Sequence, residues 1–111
     1  MKKIALTLVF CLMIAQNAYC HTPSKIGTER LGTQITVTVI HGVLDPKTHY
    51  IKRIEITLNG MKTIEQNFTM QTDDDMQQVI YVIPSLQTGD KMTITATCNT
   101  SGEFTKEIMI Q

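Results

Sequence analysis

The chain has no tryptophan, three phenylalanines, three tyrosines, three cysteines, three histidines and no excess charge of either sign, with ten basic and ten acidic side chains among 111 residues. The missing basic excess argues against a nucleic-acid partner, because binding of that kind rests on neutralising phosphates with Lys and Arg. Long apolar runs are also missing. The one hydrophobic stretch, Ile4 to Ala15, is shorter than the ~20 residues a bilayer span needs, so no transmembrane segment is expected. No stretch has a convincing helical period, no internal repeat is evident, and no serine, histidine and acid arrangement suggests a hydrolase.

Lys2 and Lys3, the apolar run and then Gln16-Asn17 have the order of a secretory signal peptide, read here as residues 1–20. Cleavage after Cys20 suits Ala18 and Cys20 as the small residues at minus three and minus one, and makes His21 the new N-terminus. Tyr19 directly before Cys20 argues against a lipid anchor there. The remaining residues 21–111 are enough for one small domain with one core, carrying eight basic and ten acidic side chains, and are expected to be periplasmic or secreted. Cys98 is then an odd cysteine: a buried small residue, a free thiol or a ligand, or, if Cys20 is retained, its disulfide partner.

Ile35, Val37 and Val39 alternate with polar residues over Gln34 to Ile40, the period-two pattern of a half-buried strand. Ile51, Ile54, Ile56 and Leu58 carry a second strand, and Asn59-Gly60 supplies the tight turn to a hairpin partner over Met61 to Met70. Met76 to Ile83 is a third apolar and β-branched run, stopped by Pro84. Met92, Ile94 and Ala96 alternate with threonines up to Cys98, and Phe104, Ile108 and Ile110 mark the last strand. Six or seven short strands at this spacing predict an all-β fold, an antiparallel immunoglobulin-like β-sandwich of about seven strands. Asp73-Asp74-Asp75 reads as a solvated turn.

His41, His49-Tyr50-Ile51 and Cys98-Asn99-Thr100-Ser101-Gly102 fall at strand ends, and if these open at one end of the sandwich the N-terminal segment His21-Thr22-Pro23 need only lie across it to complete a cluster. Neutral imidazole and thiolate both suit a first-row transition metal, and donors scattered over distant loops imply a site assembled by folding. In order and in strand context the pattern resembles the iron domain of the superoxide reductase family, also called desulfoferrodoxin or neelaredoxin. The resemblance covers essentially all of residues 21–111.

It implies a mononuclear non-haem iron centre that reduces superoxide to hydrogen peroxide, with His21, His41 and His49 as equatorial ligands and Cys98 as the axial thiolate. It also implies an external electron donor, since no four-cysteine rubredoxin-like domain accompanies the chain, and family relatives often form homo-oligomers. Three departures stand out. Ser101 occupies the place of the fourth histidine, Gly42 replaces a proline in a longer His41–His49 loop, and the Glu-Lys pair that often precedes the first histidine is absent, leaving Lys47 as a candidate cation. Three imidazoles, a thiolate and a free amine on His21 would equally attract copper or zinc. A metal-free sandwich module is the remaining alternative.

Overall fold

The computed structural model describes residues 23–100 and 102–111; the expected signal peptide 1–20, the candidate ligand His21 and Ser101 lie outside the described residues. Seven strands run in order: β1 (Lys25–Leu31), β2 (Gln34–Ile40), β3 (Ile51–Leu58), β4 (Met61–Asn67), β5 (Met76–Val82), β6 (Lys91–Cys98) and β7 (Glu103–Met109). They form two antiparallel sheets, β1-β2-β5 and β4-β3-β6-β7, the sandwich expected from the alternation. No helix of the described residues is long and apolar enough to cross a membrane.

The alternating residues are the core. Ile35, Val37 and Val39 of β2 face Ile54, Ile56 and Leu58 of β3 and Met92, Ile94 and Ala96 of β6, with Ile26, Ile83, Leu86 and Ile110 filling the ends. Side chains on one face of a strand recur every second residue, so β2 and β6 each place one side inward. The spacing Ile51 to Ile54 breaks that rule, yet both isoleucines are fully buried. A bulge resolves the conflict. Ile51 pairs with Cys98 and Arg53 with Thr97, leaving Lys52 as the extra residue.

Asn59 (φ 51°) and Gly60 (φ 82°) form the expected tight turn, closed by the Leu58 and Met61 pair. The hairpin partner ends at Asn67, short of Met70, with the Phe68 N–H still donating to the Lys52 carbonyl of β3 at 2.8 Å. Strand β1 was not expected from the sequence. Only Ile26 of its seven residues is buried, so the edge strand carries almost no apolar alternation. Its register comes from the Gly32-Thr33 turn and full pairing with β2.

Two side-chain bonds latch the sheets along opposite sides. Lys106 on β7 donates to the Ile26 carbonyl at 2.8 Å, and Tyr81 on β5 donates to Gln66 on β4 at 2.6 Å. At the pole away from the histidines, Asp90 accepts from Asn59 Nδ2 at 3.0 Å and from the Gln87 N–H at 2.9 Å. The Asn59 bond, then the Gln87 bond, holds the Asp90 carboxyl below the ordinary aspartate range. A depressed folded-state pKa contributes stability above the unfolded value of about 4, and that contribution is lost as pH falls through the folded value. Asp90→Ala is therefore expected to lower the melting temperature at pH 7, with the gap to wild type closing as pH drops below the aspartate range. A gap independent of pH in a thermal melt series would count against this role for the carboxylate.

Candidate metal centre

Antiparallel pairing brings the candidate residues to one pole. Strand β2 runs toward that pole and ends at Ile40, so His41 is the first residue beyond it; Ile40 pairs with Lys25, the first residue of β1. Strand β3 begins there at Ile51, two residues after His49, and its partner across the ladder is Cys98, the last residue of β6. Residues separated by 49 positions thereby become neighbours.

The geometry is close. His49 Nε2 lies 3.2 Å from Cys98 Sγ, and the His41 and His49 rings meet edge to face with centroids 4.9 Å apart. One donor atom from each of His41, His49 and Cys98 lies within 4.8 Å of the other two. Nitrogen and sulfur sharing one first-row ion at bond lengths of about 2.1 and 2.3 Å stand ~3.1–3.6 Å apart for right-angle to tetrahedral geometry, so the His49–Cys98 separation fits such an ion. Cys98 and His41 are buried, at 3% and 1% exposure, and His49 is half-buried.

Each donor is held by identifiable partners. Asn99 brackets His49: its side-chain Nδ2 donates to the Thr48 carbonyl at 3.0 Å, its Oδ1 accepts from the Tyr50 N–H at 3.0 Å, and its own N–H donates to the Tyr50 carbonyl at 3.0 Å. Cys98 sits in a short loop closed by its N–H donating to the Gly102 carbonyl at 3.0 Å, with Gly102 at φ 64°, a backbone conformation that favours glycine. The Thr100 hydroxyl lies 3.2 Å from Sγ and the Thr100 N–H donates to it at 3.5 Å. Donors aimed at a sulfur withdraw charge from it and tune whatever it binds.

His41 is fixed by a residue that sequence reasoning missed. Gln71, in the β4–β5 connection and 2% exposed, lies with Oε1 2.8 Å from His41 Nδ1. No motif marks it. Gln71 falls just beyond the hairpin strand expected over Met61 to Met70, and a buried loop glutamine has the same one-dimensional signature as an exposed one.

His21 lies outside the described residues, but the chain that follows it is anchored at the pole. Pro23 is buried, and the Ser24 N–H donates to the Ile40 carbonyl at 3.0 Å, next to His41. Lys47 is exposed in the His41–His49 loop, its N–H bound to Asp45 Oδ1 at 2.9 Å. Beside His49 a cleft of about 710 Å³ opens between Gly42–Asp45, Thr48 and the Asp74-Asp75 turn. Asp73-Asp74-Asp75 is the exposed turn expected, with Asp73 Oδ1 accepting the N–H groups of Asp75 and Met76 at 2.8 and 2.9 Å.

Fold and site together define a small antiparallel sandwich with a largely buried two-histidine, one-cysteine cluster at one pole. No protein-family model and no curated protein matches the chain. Among solved structures it is similar to the superoxide reductase of Giardia intestinalis (TM-score 0.58, 14% identity, covering 81% of this chain and 100% of that one). It is also similar to the superoxide reductase (neelaredoxin) of Ignicoccus hospitalis (TM-score 0.51, 22% identity, 82% and 81%) and to a hypothetical protein of Pyrococcus horikoshii OT3 (TM-score 0.54, 22% identity, 82% and 88%). The likeness anticipated from the histidine and cysteine pattern thus extends to the fold.

Proposed function

We propose that the chain is an exported mononuclear non-haem iron oxidoreductase of superoxide reductase type, with His21, His41, His49 and Cys98 as ligands. The observation that carries this reading is the convergence of His41, His49 and Cys98 donor atoms within 4.8 Å of one another at a buried pole. The solved structures of the same fold support it: the Giardia protein is described as a one-iron superoxide reductase and the Ignicoccus protein as a superoxide reductase. Iron held there would supply the electron that, with two protons, converts superoxide to hydrogen peroxide, and an external donor would restore it.

The chain's own residues prepare that chemistry. Cys98 offers a soft, buried thiolate whose charge the Thr100 donors moderate, while Asn99 holds the segment carrying His49 against the segment carrying Cys98. His21 has a short path to the same pole: it stands four positions before Lys25, a reach of ~13 Å in extended chain. Removal of residues 1–20 would leave its amine beside its imidazole as an additional donor.

The test starts from the exported, processed protein. Mass spectrometry is expected to place its N-terminus at His21. Added ferrous iron is expected to survive desalting and, once oxidised, to give a thiolate-to-iron absorption band in the red, with superoxide consumed catalytically when a reductant is present. Iron lost on desalting with no band would sink the reading.

One observation favours a second reading, a copper or zinc binder without reductase activity. Three carboxylates, Asp45, Asp74 and Asp75, line the cleft beside His49, and Lys47 is not among its lining residues. Such a mouth attracts cations and repels the superoxide anion. Copper or zinc displacing iron at equal concentration, with no superoxide consumption, would select this alternative.

A further inference from the structure

Gln71 uses both ends of its carboxamide. Its Oε1 accepts the Ile51 N–H at 3.2 Å and faces His41 Nδ1 at 2.8 Å. Its Nε2 donates to the His41 carbonyl at 2.8 Å and to the Asp73 carbonyl at 3.0 Å, and its backbone N–H donates to the Pro46 carbonyl at 2.9 Å. These partners fix which end is which. Two backbone carbonyls can only accept and one backbone N–H can only donate, so a flipped amide would lose three bonds at once.

The oxygen must therefore face His41, and an amide oxygen carries no proton. The proton in that bond belongs to His41 Nδ1. In the neutral ring this places the lone pair on Nε2, the other side of the imidazole. We infer that Gln71 is the positioning residue of the candidate metal centre: it holds His41 in the Nδ1–H tautomer so that Nε2 is the donor atom, and it ties that histidine to the strand paired with Cys98. The inference rests on the metal-centre reading of the site.

The second half of the statement follows from the shared oxygen. Ile51 opens β3 and is the ladder partner of Cys98, so one atom sets the position of His41 relative to the strand beside the thiol. The Pro46 and Asp73 bonds add the His41–His49 loop and the aspartate turn to the same anchor. His41, Ile51 and Asp73 meet on one side chain, whose one contact with a candidate ligand among the described residues is His41.

The experiment uses 15N-labelled, processed, metal-free protein above the pH at which imidazole titrates. Long-range 1H–15N correlation spectra identify the protonated ring nitrogen of each histidine. Wild type is expected to show His41 with the proton on Nδ1. Gln71→Met, whose thioether is at best a weak acceptor, is expected to lose that signal in favour of the Nε2–H form. In titrations with Fe2+ and with Zn2+, Gln71→Met should bind roughly ten- to hundredfold more weakly than wild type, the usual cost of removing an outer partner of a ligating histidine.

An Nε2–H signal for His41 in the wild type overturns the inference even if Gln71→Met does not fold. So does an unchanged tautomer with unchanged metal affinity in Gln71→Met. Loss of the Nδ1–H signal in Gln71→Met, with neither Fe2+ nor Zn2+ bound by any form, overturns the metal centre while leaving the Gln71–His41 lock standing.

Discussion

Cys98→Ala is expected to abolish the red absorption band of the iron-loaded protein and to weaken iron binding by more than the ~10–100-fold that loss of an outer partner costs. The reason is that no other described side chain can replace the donor. Cys98 is the only cysteine described, its sulfur lies 3.2 Å from His49 Nε2, and the Thr100 hydroxyl and N–H are aimed at it. The fold should tolerate the change, because alanine keeps the backbone bonds to Gly102 and the pairing with Ile51 and removes one buried atom. A free cysteine packs as a small hydrophobe, so the stability cost should be on the order of 1 kcal/mol. Thermal melts of the metal-free variant separate the two effects. A variant that melts normally and still binds iron as tightly as wild type would reduce Cys98 to a buried filler.

The parts of this site that were legible in the sequence share one property: they sit at ends of strands whose alternation is plain. β2 reads directly from Ile35, Val37 and Val39, so His41 is visibly the residue beyond a strand end. β6 reads from Met92, Ile94 and Ala96, so Cys98 is visibly its last position. The pairing that makes them neighbours was harder to see, because Ile51 to Ile54 carries a bulge that no local pattern announces. β1 was hidden for a different reason. An edge strand with one buried residue owes its existence to a partner and a turn rather than to its own apolar pattern.

Gln71 marks the limit most clearly. Its role depends on five bonds supplied by four residues, His41, Pro46, Ile51 and Asp73, of which only Asp73 is near it in sequence. Burial of a polar group is costly unless its bonds are satisfied, and that condition is a property of the assembled pole. The candidate ligand types were therefore readable as chemistry, whereas the residue that holds His41 became visible only with the fold.

Ser101→His should act in the opposite direction from loss of the thiolate, raising ferrous iron affinity at least about tenfold, which corresponds to ~1.4 kcal/mol. The resemblance to superoxide reductases puts a fourth histidine at this position, and a serine hydroxyl is a poor donor to ferrous iron where a neutral imidazole is a good one. Residue 101 lies outside the described residues, yet its neighbours are anchored at the centre: Thr100 contacts the Cys98 sulfur, and the Gly102 carbonyl accepts the Cys98 N–H. An added imidazole would also donate electron density to the iron, so the reduction potential and the position of the red band should move together with affinity. Competition between Fe2+ and Zn2+ measures the gain directly. If iron affinity rises and superoxide consumption appears or quickens, the serine is what limits the wild-type centre. If affinity is unchanged while Cys98→Ala still removes the band, position 101 contributes no ligand, and the centre must be completed by His21 or by water.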